Sequence, residues 1–405
     1  MSVNFPTDKM VQAWRAGPPT RGLPDPRRHL KVLAPIRYPW TFNGPRRSRH
    51  DVVRRPFVPF NWLRGNLDGF TIFNPWHLRG VDLIHAYNRV PIGKKPFVIG
   101  FESHLPRAFG MEGGLAFRAM TRALASPRCR GIVAISEHAA KIFEEQHKSS
   151  FHENALHRKL SVRYPNVVVP PPKPARIRSG GALRLAFVGN HFARKGGCVA
   201  VKVAEMALKR SLPVEVTIVS SLHVGGSIWT DPEDRSFFQR YFKLLDLPNV
   251  SWTSSMPNPA VGELLRRSDL SLLTTFGDTC GFSAIESLAQ GTPVIATRQG
   301  ALPEIIDHES NGYLLPIALN AHREWIHLGS DRRHTRWFEG VFEHEVDRLA
   351  LMTVDIIESL MASPACLPRL QQAAHVKAST RFCSKDSQAF WDNYYVEALG
   401  YEGLH

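Results

Sequence analysis

The chain has 405 residues, 43% hydrophobic and 21% charged, which excludes a disordered chain and fits two domains of ordinary size. No apolar run reaches the roughly 18 to 20 residues of a membrane span, and the five scattered cysteines (129, 198, 280, 366, 383) form neither a CxxC pair nor a disulfide framework. The formal charge is +15, and residues 1–60 carry twelve Lys or Arg against three Asp, about nine of those charges.

The N-terminus, MSVNFPTDKMVQAWRAGPPTRGLPDPRRH, has no apolar signal core, so a cytoplasmic protein is expected. Residues 1–29 read as a basic, proline-rich arm. The densest basic run is PRRSRHDVVRR, residues 45–55. It reads either as a solvated loop or as a patch for an anionic membrane surface or an acidic substrate. Nucleic acid is not an expected partner, because no recognition helix, zinc finger or RNA-binding aromatic signature appears.

Short apolar runs follow: HLKVLAPI, FTIFNP, VDLIHAYN, KPFVIGFES and CRGIVAISE. Each is continuous rather than alternating, as strands buried on both faces of a parallel sheet are. Helical stretches lie between them, including GGLAFRAMTRALAS and SEHAAKIFEEQHK, the second with Ser136 as N-cap. Residues 30–172 are therefore expected to form a Rossmann-like domain.

The run VVVPPPKPARIRSGG interrupts the pattern, and 173–181 is the expected linker. The pattern restarts with LRLAFVGN and continues through VEVTIVSS, NVSWTS, DLSLLTT and TPVIAT. Residues 182–384 are the expected second Rossmann-like domain. Two such α/β domains would face one cleft at their strand carboxyl ends. Residues 318–340 fit poorly and read as an insertion or lid. Residues 385–405 are an expected helix near the domain junction.

Within the second domain, DLSLLTT ends as a strand, FGDTCGF is a turn, and SAIESLAQ is a helix with Gly291 at its C-terminal cap. Asp278 and Gly281 lie on the loop where α/β ligands bind, and Glu286 lies one turn into the helix. Free N–H groups at that helix start favour an anion. Two structural roles compete: Ser283 and Glu286 fit a Ser-x-x-Glu capping box, and Asp278 fits a turn residue bonding its own backbone.

The stretch DTCGFSAIESLAQGTPVIATRQGALPEIIDHESNGYLL strongly resembles the donor-site signature of glycosyltransferase family four, with its Glu-x7-Glu motif. Asp278 and Glu286 fall on the two acids, the first one methylene shorter here. Gly281, Gly291, Thr292, Pro293, Gly300, Pro303, Glu304 and Gly312 also match. VGNHFARKGG resembles the family's phosphate loop, with Gly189 and Lys195 in place, Asn190 where the family has arginine, and Arg194 as the expected substitute charge.

The resemblance implies the GT-B architecture and a retaining, nucleotide-sugar-dependent transferase. Glu286 would then take the ribose hydroxyls, and Asp278 would contact the donor sugar. Lys195, Arg194, Asn190 and Gly189 would hold the diphosphate with the loop at Gly281, Phe282 and Ser283. VDLIHAYN and PFVIGFESHLPR resemble the family's first-domain strand ends less closely, and they make His85 and Glu102 candidates near the transferred sugar, with His85 reading equally as a satisfied core histidine. The expected partners are a nucleotide sugar, a glycan or lipid-linked acceptor, and an anionic membrane at the inner face. No cofactor and no metal are expected. The alternatives are a catalytically silent nucleotide- or glycan-binding protein, an epimerase or phosphorylase of the same fold, and a Rossmann oxidoreductase. The last is weakened because GNHFARKGG lacks GxGxxG.

Overall fold

A computed structural model describes residues 28–36, 40–59, 68–108, 110, 112–173 and 181–400. Most of the expected arm and of the linker therefore lies outside the described residues.

Among the described residues, fifteen strands form three sheets. The first holds β1 (Lys31–Pro35), β2 (Asp51–Arg55), β5 (Leu83–Tyr87), β7 (Phe97–Phe101), β8 (Cys129–Ala134) and β9 (Leu160–Val162). Its order is β2-β1-β5-β7-β8-β9, with every neighbouring pair parallel. The second holds β10 (Leu183–Val188), β11 (Val214–Val219), β12 (Val250–Thr253), β13 (Leu270–Leu273), β14 (Val294–Thr297) and β15 (Gly312–Leu315). Its order is β12-β11-β10-β13-β14-β15, again parallel throughout. The strand order reverses between β10 and β13, which opens a crevice at their carboxyl ends. These are two Rossmann-like sheets, as the apolar runs require.

Two expectations change. FTIF does not join the first sheet. It forms β4 (Phe70–Phe73) in a small sheet with β3 (Phe57–Pro59) and β6 (Val90–Pro91). The basic run is not a loop throughout, because DVVRR is β2, paired in parallel with β1. As an edge strand it leaves Arg54 and Arg55 exposed.

The second core gathers Phe187, Phe192, Phe276, Trp325, Phe338 and Phe342 between sheet and helices. Residues 318–340 are rooted there, since Trp325 is 1% exposed and packs 4.9 Å from Phe276. The segment is a packed connection leading into the long helix Arg336–Ala362. A separate apolar cluster joins the two halves, with Trp40, Phe42, Tyr87 and Ile135 against Cys280, Ala284 and Ile285. At its centre Phe42 stacks on Phe282 with centroids 4.4 Å apart.

The last helix, Ser384–Gly400, returns to the first sheet. Trp391 and Tyr395 are fully buried against Leu30, Val32, Leu83, Val98 and Val133. This packing also encloses His85, with its ring 4.3 Å from Trp391 and its Nδ1 2.7 Å from the Tyr395 hydroxyl. The expected catalytic contact of His85 is thereby corrected. The side chain is 0% exposed and belongs to a core, because its position on a central strand points it under the C-terminal helix.

Burial pushes the His85 imidazole down from 6.5 to about 3. The unfolded chain takes this proton near pH 6.5 and the native chain only near 3, so protons favour unfolding in between. The contribution is complete above pH 6.5 and is lost as pH falls, at about 1.4 kcal/mol per pH unit. Urea unfolding at pH 7, 6 and 5 should show a shallower acid loss for His85→Phe than for the wild type. Equal slopes would contradict the assignment.

Candidate functional site

A cavity of about 590 Å³ opens at the carboxyl ends of β10 and β11. Residues 255–265 form one wall, and two further segments of the second domain, both shaped by glycines, form most of the rest of that domain's side.

The first segment leaves β10 as Gly189-Asn190-His191 and turns into the helix Gly197–Lys209. Gly196 sits at φ +95°, and a Cβ there would lie 2.5 Å from the Thr274 carbonyl oxygen, so only glycine lets this loop lie on the neighbouring one. Gly189, Asn190, His191 and Lys195 all line the cavity. Burial lowers the His191 imidazole from 6.5 to about 4, helped by Arg194, His223 and Lys195.

The second segment leaves β13 and reaches the helix Phe282–Ala289. Its N-cap is Gly281 at φ +78°, with no side-chain cap. This decides the capping question. Ser283 falls inside the first turn and Glu286 in the second, so the Ser-x-x-Glu pair is out of register for a capping box. The helix closes on Gly291 as expected, with Gly291 N–H donating to Leu288 O (2.9 Å) and Thr292 N–H to Ser287 O (3.0 Å). Phe282, Ser283 and Glu286 line the cavity.

Lys195 joins the segments. Its Nζ donates to Asp278 Oδ2 at 2.5 Å, and the side chains are only 19% and 7% exposed. Asp278 Oδ1 accepts from the Gly281 N–H at 3.2 Å, so the turn-residue role is also present. Burial alone would push this carboxyl up, but Lys195, Arg194 and the Gly281 N–H hold it below its ordinary value. Asp278 is thus an anion at neutral pH, placed behind Lys195. Arg194 departs from expectation, since it is not among the residues lining the cavity. Its Nη1 donates to the Gly277 carbonyl at 3.3 Å, so it braces the Asp278 loop.

Across the junction, Glu102 is held by Asn88 Nδ2 at 3.0 Å and by Arg107 Nη2 at 2.5 Å. It does not line the cavity, yet its charge helps raise the buried Cys280 thiol, after burial itself and Asp278. It therefore stands beside the Asp278 loop with its carboxylate already engaged.

Two features escaped the sequence. Glu304 accepts from the Glu137 and His138 N–H groups at 2.8 Å each and from the Tyr164 hydroxyl at 2.9 Å. A second-domain carboxylate thus occupies the N-terminus of the helix Glu137–His147, where unpaired N–H groups attract an anion. Its motif match gave no hint of the partner, which lies 166 residues away. The other is Arg46, which lines the cavity from the first domain. Only the local density of charge marked it.

The glycosyl transferases group 1 family profile matches residues 182–323. Among curated proteins, the chain is 44% identical over 57 residues to N-acetyl-alpha-D-glucosaminyl L-malate synthase of Bacillus anthracis, covering 14% of this chain and 15% of that protein. It is 24% identical over 279 residues to D-inositol 3-phosphate glycosyltransferase of Pseudarthrobacter chlorophenolicus, covering 66% of this chain and 59% of that one. The chain thus spans between 15% and 59% of the length of these relatives. Among solved structures, Anabaena HepE in complex with UDP superposes with a TM-score of 0.57 at 13% identity, over 90% of this chain and 98% of that one. A glycosyltransferase from Rickettsia africae gives 0.53 at 15% identity, over 81% and 79%. The chain has the GT-B fold, and its residues 182–323, which hold the Asp278–Glu286 motif, match the glycosyl transferases group 1 family.

Proposed function

We propose that this protein is a retaining glycosyltransferase that moves a sugar from a nucleotide sugar to a glycan or lipid-linked acceptor. The observation that carries the reading is that Lys195, ion-paired with Asp278, lines one cavity together with Glu286 at a strand-order reversal. The similarity to a structure that holds UDP supports the choice of ligand class.

In this reading Glu286 accepts the ribose hydroxyls, and Lys195 faces the diphosphate. The bond between the anomeric carbon and the diphosphate oxygen breaks while the acceptor oxygen bonds to the same carbon from the same face. The acceptor proton passes to the departing phosphate oxygen. Charge grows on the diphosphate as the bond breaks, and a fixed cation is worth most at that moment. The apolar seam around Phe42 and Phe282 excludes water that would otherwise hydrolyse the donor.

A thermal-shift panel with UDP, GDP, ADP, dTDP and NAD tests the reading. A ligand at 100 times its dissociation constant stabilises the fold by about 2.7 kcal/mol. One nucleoside diphosphate should shift the wild type, and Glu286→Ala should lose that shift. A response to NAD alone would favour the oxidoreductase.

We propose, further, that the acceptor side meets an anionic membrane surface. Arg47, Arg54 and Arg55 are exposed on the first domain, and Trp76 is 67% exposed nearby in sequence to the small sheet. No single described helix is long and apolar enough to cross a membrane. Binding to anionic vesicles should exceed binding to neutral ones and weaken with salt. Equal sedimentation with both at low salt would remove the proposal.

A further inference from the structure

The donor cavity is short of positive charge on its own domain. Of the described second-domain residues lining it, Lys195 is the one Lys or Arg, and it is already bonded to Asp278. Arg194 is turned to the Gly277 carbonyl and does not line the cavity. Asn190 brings no charge. A nucleoside diphosphate carries at least two negative charges, and these grow at the leaving oxygen when the glycosidic bond breaks.

Among the described residues, the other Lys or Arg lining the cavity comes from the first domain. Arg46 lies on the connection between β1 and β2, and its side chain faces the same space as Lys195, Asn190 and Glu286. Its placement is fixed. Nη2 donates to the Asn166 carbonyl at 3.1 Å and Nε to Asn166 Oδ1 at 3.4 Å. Asn166 is itself 1% exposed, and its Nδ2 donates to the carbonyls of Phe42 and Gly44 at 2.9 Å each. The guanidinium also lies 5.4 Å from the Phe42 ring, and that ring stacks on Phe282 across the junction. A buried amide and a stacked aromatic pair thus hold an arginine of one domain over the ligand cavity of the other.

We propose that Arg46 binds the phosphates of the nucleotide sugar across the domain junction and supplies the second cation of the donor site. This rests on the donor-site reading above. A guanidinium suits the task because it presents several N–H donors in one plane to phosphate oxygens. The charge reaches the donor only when Phe42 and Phe282 are in contact, so donor binding and domain closure reinforce each other. Arg46 does not move with the phosphate loop, and the donor site is complete only in the closed chain.

Titration calorimetry on the full chain tests this with UDP, GDP, ADP and dTDP against wild type, Arg46→Gln, Arg46→Lys and Lys195→Ala. Ligand-observed NMR with the matching nucleoside isolates the part without phosphate. Arg46→Gln should weaken the diphosphate about tenfold or more, the worth of one lost charged hydrogen bond. It should leave the nucleoside signal unchanged. Arg46→Lys should fall between, and serves as the test if the glutamine variant does not fold. If Lys195→Ala weakens the diphosphate while Arg46→Gln and Arg46→Lys bind it like the wild type, Arg46 has no phosphate role and the proposal falls alone. If both diphosphate and nucleoside weaken together, Arg46 acts on the shape of the cavity and the proposal also falls. If the wild type binds none of the four diphosphates, the donor-site reading fails and takes this proposal with it.

Discussion

Replacing Lys195 by alanine is expected to lower glycosyl transfer by about 10²–10³-fold, the usual effect of removing one preorganised group aimed at growing charge. Lys195 has two tasks, and the experiment must separate them. It neutralises Asp278, whose side chain is 7% exposed, and it lines the cavity proposed to take the donor. Removing it leaves a buried carboxylate whose burial is no longer offset, so the Asp278 carboxyl should titrate higher than in the wild type. Some stability is lost as well, because breaking a buried pair from one side costs more than removing both partners. The double variant Lys195→Ala/Asp278→Asn should recover stability in urea and still fail to transfer sugar. Transfer restored in the double variant would assign the pair a purely structural role.

Trp391→Ala should cost about 3–5 kcal/mol, the range for a buried aromatic truncated in a core that cannot collapse around it. The side chain is 0% exposed. It packs edge-on against Phe390 and Tyr394, with centroids at 5.1 and 5.5 Å, and against His85 at 4.3 Å. A cost of this size is a large share of the 5–15 kcal/mol that a domain has in total. The urea midpoint should fall accordingly. Hydrogen exchange should then speed up in β1, β5, β7 and β8, which the C-terminal helix covers, while β10 and β13 keep their protection. Uniform loss across both sheets would show that the helix stabilises the chain as a whole rather than the first sheet.

The second domain was the more legible half, for a local reason. Its site is made of strand, turn and helix start in immediate succession. Gly291 closes the helix within a few residues of itself, so spacing carries its role. The strand, turn and helix assignments around Asp278 hold in the structure. The capping box did not hold. A Ser-x-x-Glu spacing says nothing about which residue starts the helix, and the backbone of Gly281 took that place by entering the left-handed region.

The first domain was less legible because its chemistry is assembled from distant parts. VDLIHAYN announces a buried strand but not which way each side chain faces. His85 was read as a cleft residue or, equally, as a core histidine, and the structure decides for the core: it lies under the C-terminal helix, bonded to Tyr395 with a separation of 310 positions. FTIF has the apolar content of a central strand, yet it pairs antiparallel with β3 in the small sheet. Strand content is local, whereas sheet membership is a competition among edges that only the folded chain resolves.

The sequence by itself determined two parallel α/β units, the helix that follows the Asp278 turn, and the glycine-bounded loop that carries Lys195. Hydrophobic continuity, glycine at positive φ and residue spacing are properties of neighbours in the chain. The tertiary structure alone decided which charges meet. Arg194 adjoins Lys195 in sequence and turns away to Gly277, whereas Arg46, 149 positions before Lys195, lines its cavity. Glu304 likewise found its three donors on the opposite domain. The reason is that electrostatic and hydrogen-bonding partners are chosen by distance in space, and the domain junction brings distant chain segments within hydrogen-bonding reach of one another.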